Sequence, residues 1–247
     1  MNRTNKEFLF SIDKIHDLIK NAEVSKLTDE DWLTETVSIV GLYNEGNRRH
    51  PSNNLVHLYG DDVKYMNVIP NTGMWQIPRQ LAQFLIQLTR LDNINIKTFL
   101  DIGTCRGCTI TVIAMYLLRF GIEHIDTIDI IKYVDDSLIN KWKELKLPIN
   151  YIIIPNDLNY IPYVSKQKYD IVFIDGNHDY NYVLNDYIKA KSITNIICFH
   201  DINDCFCRDV VRLWAEIKCT VDNSSKYYEF TYHSHGYNLM GIGMIIL

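Results

Sequence analysis

The sequence predicts an α/β protein: a seven-stranded, mostly parallel sheet with an antiparallel last strand, helices on both faces and a helical extension at the N-terminus. Seven short apolar runs follow one another at 97–103, 122–130, 149–155, 169–175, 194–200, 227–233 and 239–247. They are apolar on both sides, as strands buried between two helical layers are. Amphipathic stretches such as 108–120 and 180–192 separate them, which is the pattern of crossover helices between parallel strands. Only a short loop joins the last two runs, so these are expected to pair antiparallel.

Before residue 97 the periodicity predicts helices near 7–21, 29–40 and 78–89, with an irregular polar stretch from 44 to 72. The expected division is therefore an N-terminal helical segment or cap over 1–92 and a core over 93–247. The segment has two possible roles, a cap over an active site or packing against a face of the sheet, and the sequence does not choose between them.

The 247 residues, 47% hydrophobic and 22% charged, are enough to bury a sizeable core. A net charge of -5 without a dense Lys/Arg cluster argues against nucleic acid as a partner and leaves a small molecule as the expected one. Charges break the apolar residues of the N-terminus every few positions, and the longest apolar run, at 240–247, is too short to cross a bilayer. Neither a secretory signal nor a membrane partner is expected, and the six cysteines then read as reduced thiols of a cytoplasmic protein. Cys105-x-x-Cys108 invites a zinc or redox reading, but the only second pair, Cys205-x-Cys207, is spaced too tightly for a zinc ribbon. Small side chains in a tight loop are the plainer account. A homo-oligomer is compatible with the sequence but not specified by it.

In an open α/β sheet the first strand-to-helix turn usually holds the cofactor. Here that turn runs from Asp101 through Gly103 and Thr104 to Gly107. It lacks the second glycine of G-x-G-x-x-G, having Cys105 in that place, so a diphosphate is a poor guest; no P-loop occurs either. An acidic strand end followed by G-x-x-x-G suits a cofactor with a cationic sulfonium and an amino acid tail. Asp101 can attract its ammonium, and Gly103 and Gly107 let backbone groups come close. After the next strand, Asp129 is placed to accept ribose hydroxyls, with Ile130 beside it. After the third strand, Asn156 and Asp157 are placed at the adenine. Each carboxylate taken singly could equally be a helix cap or a solvated turn.

Together these residues resemble the class I methyltransferases dependent on S-adenosylmethionine (SAM), over about residues 97 to 247, and that resemblance implies a Rossmann-like fold. The fourth strand runs into Asp175-Gly176-Asn177-His178 and the fifth into His200-Asp201, which should meet on one rim. This pattern is similar to the branch containing macrocin-type and mycinamicin-type sugar O-methyltransferases and cephalosporin-hydroxylase-like proteins. The resemblance implies methylation of a hydroxyl on a sugar or other small molecule, with His178 as general base beside Asp175, and Asp175 and Asp201 as ligands of a divalent metal, Mg²⁺ or Mn²⁺. His200 stands where the branch has an acid; Mg²⁺ prefers oxygen ligands, while imidazole suits Mn²⁺, Fe²⁺ or Zn²⁺. Either the metal differs, or His200 only supports a ligand, or no metal binds. The same Asp and His residues could instead form a hydrogen-bonded turn. Trp75 and Gln76, ahead of Pro78, resemble a Gln-x-Pro segment of the same branch and face either the ligands or the core.

Two other function classes compete. Gly176-Asn177-His178-Asp179 copies one signature of metal-dependent phosphohydrolases, but the accompanying Asp-x-His, Gly-Asp-x-x-Asp and Gly-His-x-His motifs are missing. A catalytically silent binding protein on the methyltransferase fold is the other, since fold alone does not imply activity.

Overall fold

The computed structural model describes residues 3–44, 68–70, 73–91, 95–154, 167–220, 225–232 and 240–247. Its N-terminal part contains helices α1 (Arg3–Asn21), α2 (Val24–Leu27) and α3 (Glu30–Ser38), strands β1 (Leu42–Asn44) and β2 (Val68–Pro70), and helix α4 (Pro78–Thr89). The short parallel pair β1 and β2 brackets the stretch read from sequence as irregular, three residues from each side being too few for a periodic signal. From β3 (Thr98–Ile102) the chain alternates through α5 (Cys108–Leu118), β4 (His124–Asp129), α6 (Asp136–Glu144), β5 (Ile149–Ile153), β6 (Ile171–Ile174), α7 (Tyr180–Ile193), β7 (Ile196–His200) and α8 (Arg208–Thr220). Strands β8 (Lys226–Phe230) and β9 (Ile242–Ile246) follow.

The large sheet has seven strands in the order β5-β4-β3-β6-β7-β9-β8. Strands β3 to β7 run parallel, and β9 inserts between β7 and β8, antiparallel to both. All seven expected strands are present, and the last is the reversed one. The chain builds outward from β3 to β5, then returns to place β6 on the other side of β3. That reversal opens a crevice at the carboxyl ends of β3 and β6, where ligands sit in open α/β sheets.

Alternate residues of the central strands feed two cores. Phe99, Phe173, Ile196 and Cys198 point into one, with Ile12 and Ile15 of α1, Leu33 of α3, Phe84 of α4 and Ile113 of α5. Leu100, Val172, Ile197 and Phe199 point into the other, against Val183 and Tyr187 of α7 and Leu213 and Trp214 of α8. The N-terminal helices therefore pack on a sheet face, together with α5. Helix α5 is apolar around most of its circumference because it lies between the sheet and α1.

Local chemistry fixes the helix ends. Asp29 Oδ1 accepts from Trp32 N at 3.0 Å and Asp135 Oδ1 from Ser137 N at 2.7 Å, each satisfying an orphan donor of a first turn. Pro78 opens α4, where no intrahelical donor is needed. Arg119 donates to the backbone oxygens of Lys20 and, at 3.0 Å, Ala22, closing the carboxyl end of α1. Gln80 ties α4 to the sheet, donating to Tyr232 O at 3.1 Å and accepting from Gly241 N at 3.0 Å. Among the described residues no helix is long and apolar enough to cross a membrane.

The fully buried Tyr116 hydroxyl donates to Leu27 O at 3.0 Å, joining α5 to the N-terminal helices. Burial pushes the phenol up to about 12, so it remains a donor. Tyr116→Phe would strand the buried carbonyl of Leu27. Urea unfolding should show a loss of about 1–2 kcal/mol in one cooperative transition; an unchanged midpoint would contradict the coupling.

Candidate active site

Register decides which side chains meet. Ile102 pairs with Ile128 on one side and Ile174 on the other, while Ile174 pairs with Phe199. The next residues, Asp129, Gly103, Asp175 and His200, therefore stand side by side at the strand tips. Gly103 has φ +103°, and a Cβ there would lie 2.0 Å from the Asp175 carbonyl oxygen, so only glycine allows the two tips to close up. The first turn is tied to β4: Gly103 N and Thr104 N donate to Ile128 O at 2.8 and 3.2 Å, and Cys105 N to Asp129 Oδ2 at 2.8 Å. At Gly107 the missing side chain makes room for the Trp142 ring, 2.9 Å from where a Cβ would be.

Two adjacent cavities open here. The first, about 330 Å³, is lined by Gly103, Asp129, Ile130, Tyr133, Asn177 and Asp186 among others. The second, about 270 Å³, has a polar floor of Asp175, His178, His200, Asp201 and Asp204 under Trp75, Phe206 and Met240. Cys105, Asp175 and Gly176 belong to both walls. A small recess of about 30 Å³ beside them is lined by Asp101, Thr104, Gly107, Gly73 and Trp75. Asn156 and Asp157 lie outside the described residues. Gln76 is fully buried, and neither of its amide atoms has a hydrogen-bond partner among the described residues.

Asp129 is pre-oriented: besides Cys105 N, its carboxylate accepts from Ile130 N at 2.7 Å and Ile131 N at 3.2 Å. Each oxygen keeps acceptor capacity toward the cavity. Asp101 is buried and takes a 2.5 Å hydrogen bond from Thr127, whose hydroxyl is 2.6 Å from that of Thr104. Among the described residues it forms no ion pair, and burial pushes its carboxyl up to about 7. An ammonium group is the partner such a carboxylate lacks, and the adjoining recess leads to it. These features fit a ligand with hydroxyls at Asp129 and a cationic tail at Asp101.

On the second cavity's floor, His200 Nδ1 lies 2.9 Å from Asp175 Oδ1 and 3.3 Å from Asp201 Oδ1. Burial opposes charge on this imidazole, but the two carboxylates outweigh it and raise its pKa well above the ordinary value. His178 Nε2 sits 3.3 Å from Asp201 Oδ2 and 3.7 Å from Asp175 Oδ1, within ion-pair range but without a hydrogen bond to either. Asp175 raises the His178 pKa against the effect of burial. Asp175, His200 and Asp201 bring their ligand atoms within 4.8 Å of one another. Two carboxylates and an imidazole suit Mn²⁺ or another borderline divalent ion more than Mg²⁺.

Sequence reasoning missed Asp204 and Cys207. Asp204 accepts from Phe206 N at 2.7 Å and Met240 N at 2.9 Å, fastening the loop after β7 to the start of β9. Cys207 Sγ lies 3.3 Å from both His178 Nδ1 and Asp201 Oδ2. The cysteine spacing carries a signal, but in sequence Cys205-x-Cys207 pairs naturally with Cys105-x-x-Cys108, whereas the fold gives Cys207 the partners His178 and Asp201. Burial raises the Cys105 thiol to about 11 and that of Cys108 to about 12, so neither has the thiolate character of a redox pair. Of the four non-glycine residues with positive φ among the described residues, three, Cys105, Asp201 and Met240, line the second cavity. Such backbone strain concentrates at functional sites.

Residues 100–202 match a protein family described as a methyltransferase domain. A search of curated proteins returned no match. Among solved structures, a putative O-methyltransferase from Klebsiella pneumoniae aligns at 17% identity with a TM-score of 0.51, over 67% of this chain and 78% of that one. The O-methyltransferase TomG from Streptomyces achromogenes, involved in tomaymycin synthesis and solved with SAM, aligns at 16% identity and TM-score 0.51, over 70% and 81% of the two chains. An O-methyltransferase from Bacillus cereus, solved with SAH (S-adenosylhomocysteine), gives 16%, 0.50, 67% and 80% in the same order.

The Asp101 pKa has a consequence for stability. Between the unfolded value near 3.8 and the folded value near 7, the folded chain binds the extra proton, so stability falls as pH rises through that window. Asp101→Asn removes the ionisation. Its unfolding free energy should therefore fall less than that of the wild-type chain between pH 5 and pH 8, by up to a few kcal/mol; parallel profiles would contradict the buried, unpaired carboxylate. The chain has the Rossmann-like fold of the methyltransferases, with the methyltransferase-domain match running across the strand tips that form the site.

Proposed function

We propose that this protein is a SAM-dependent O-methyltransferase acting on a hydroxyl of a small molecule. The observation that carries the reading is the pair of cavities sharing Cys105, Asp175 and Gly176: one carries the Asp129 carboxylate on its wall, the other has an imidazole base on its floor. The cofactor occupies the first cavity, with ribose hydroxyls on Asp129, its neighbours Gly103 and Ile130 alongside, and the amino acid tail toward Asp101 and Thr104 past Gly107. Asn156 and Asp157 are proposed at the adenine from the sequence pattern alone. Bound SAM supplies a methyl group already electrophilic through its sulfonium, so the chain has mainly to align donor and acceptor and to handle one proton.

The acceptor lies in the second cavity. Trp75 and Phe206 line it with aromatic rings, and Phe206 is 68% exposed. A sugar or sugar-bearing molecule fits both this arrangement and the sequence resemblance. The His178 imidazole takes the hydroxyl proton, and the Asp201 and Asp175 carboxylates that face its Nε2 stabilise the imidazolium that results. With no metal bound, His200 is charged between the same two carboxylates and holds them in place; to serve as a metal ligand it gives up that proton. Asp175, His200 and Asp201 are the residues that would hold a divalent metal, whose contribution would be to lower the pKa of the acceptor hydroxyl.

Transfer of a labelled methyl group from SAM to a panel of sugar, glycoside and phenol acceptors, with and without Mn²⁺, tests the reading. His178→Ala should reduce turnover by about 10² to 10⁴ with SAH affinity unchanged. Asp129→Ala should weaken SAH binding roughly 10- to 100-fold. A His178→Ala variant with normal turnover would remove the base, and SAH binding without transfer to any hydroxyl would favour the catalytically silent alternative.

A further inference from the structure

Asp201 faces two ways. Its Oδ1 is turned to His200 Nδ1, while its Oδ2 lies 3.3 Å from His178 Nε2 and 3.3 Å from Cys207 Sγ. The thiol in turn lies 3.3 Å from His178 Nδ1. One imidazole, one carboxylate and one thiol thus converge, with ligand atoms within 4.8 Å of one another, on the side of Asp201 away from His200. The thiol sets this side of Asp201 apart from the two carboxylates and imidazole on the other, since sulfur selects soft and borderline metals.

We infer that His178, Asp201 and Cys207 form a second cation site, selective for a thiophilic divalent ion of the zinc class, with Asp201 shared between it and the Asp175–His200 side. Nitrogen, oxygen and sulfur donors in one triad are the ligand types of tetrahedral zinc. With a single ring nitrogen of His178 as ligand, the three donor atoms lie within 4.8 Å of one another, and Asp201 Oδ2 and Cys207 Sγ are 3.3 Å apart, as two ligands about 2.0–2.3 Å from a common tetrahedral ion are. The His178 side chain is 40% exposed and the triad lines an open cavity, so a fourth position remains for water or a ligand atom. The backbone supports it: Asp201 is held at φ +60°, and Cys207 N donates to Asp204 O at 3.2 Å. On binding, the thiol proton passes to solvent and the thiolate takes up the metal.

The site itself does not depend on methyl transfer. Its consequence rests on the proposed function: a zinc-class ion on His178 removes the base, so Zn²⁺ should inhibit turnover where Mn²⁺ does not.

Co²⁺ titration of the reduced, metal-stripped full chain tests the site by absorption. The expected result is a near-ultraviolet thiolate-to-cobalt band with four-coordinate visible bands, lost on adding Zn²⁺. Cys207→Ser should abolish the thiolate band and weaken Zn²⁺ binding by at least roughly 10- to 100-fold. His178→Ala, at a half-exposed side chain, should weaken it comparably, while Cys205→Ser and Cys105→Ser, at exposed thiols, should leave it intact. No thiolate band in the wild-type chain, or a full band in Cys207→Ser, overturns the assignment. The wild-type spectrum decides even if a variant fails to fold. SAH affinity, measured separately, reports on the methyltransferase reading and need not change with this result.

Discussion

The parallel register of four neighbouring strands is the constraint on which the rest of the site depends. Backbone hydrogen bonds hold Ile128, Ile102, Ile174 and Phe199 in line across β4, β3, β6 and β7, so the residues that follow them emerge together. A slip of one residue in β6 would turn Phe173 and Ile174 to the wrong cores and carry Asp175 off the rim. The apolar filling of both cores therefore sets where the carboxylates stand. Gly103 completes the constraint, because its missing side chain lets the tips of β3 and β6 touch.

Onto this frame the chain loads more charge than a structural rim needs. Asp175 and Asp201 are offset by His200, which burial would neutralise but which the two carboxylates keep charged. Asp101 has no counter-ion among the described residues, and burial shifts it toward its neutral form. A buried carboxylate that costs stability above neutral pH is poor structural design and good ligand-binding design, since a cation can recover what burial took. The positive-φ residues at the same rim belong to the same pattern.

Much of this was legible in the sequence because the core strands are short, apolar and evenly spaced. Pro78 and a clear period bound helix α4, and Asp175, His178, His200 and Asp201 fall on one rim because the fourth and fifth strands of such a sheet are neighbours. Helices α6 and α8 were not singled out; α6 is short and mostly polar, with only Leu138 and Trp142 buried. Whether the N-terminal helices cap the site or cover a sheet face could not be read either, because an amphipathic helix carries the same pattern in both cases. Periodicity does not mark Phe206 or Cys207 as site residues, since loop geometry brings them to the second cavity; only the cysteine spacing hints at Cys207.

The account stands most directly on a crystal structure of the protein with SAH. It predicts the ligand in the cavity beside Gly103, with ribose hydroxyls on Asp129, the ammonium toward Asp101, and the sulfur at the shared wall of Cys105, Asp175 and Gly176, facing His178. Ligand density elsewhere, or a sulfur turned away from the second cavity, would contradict it.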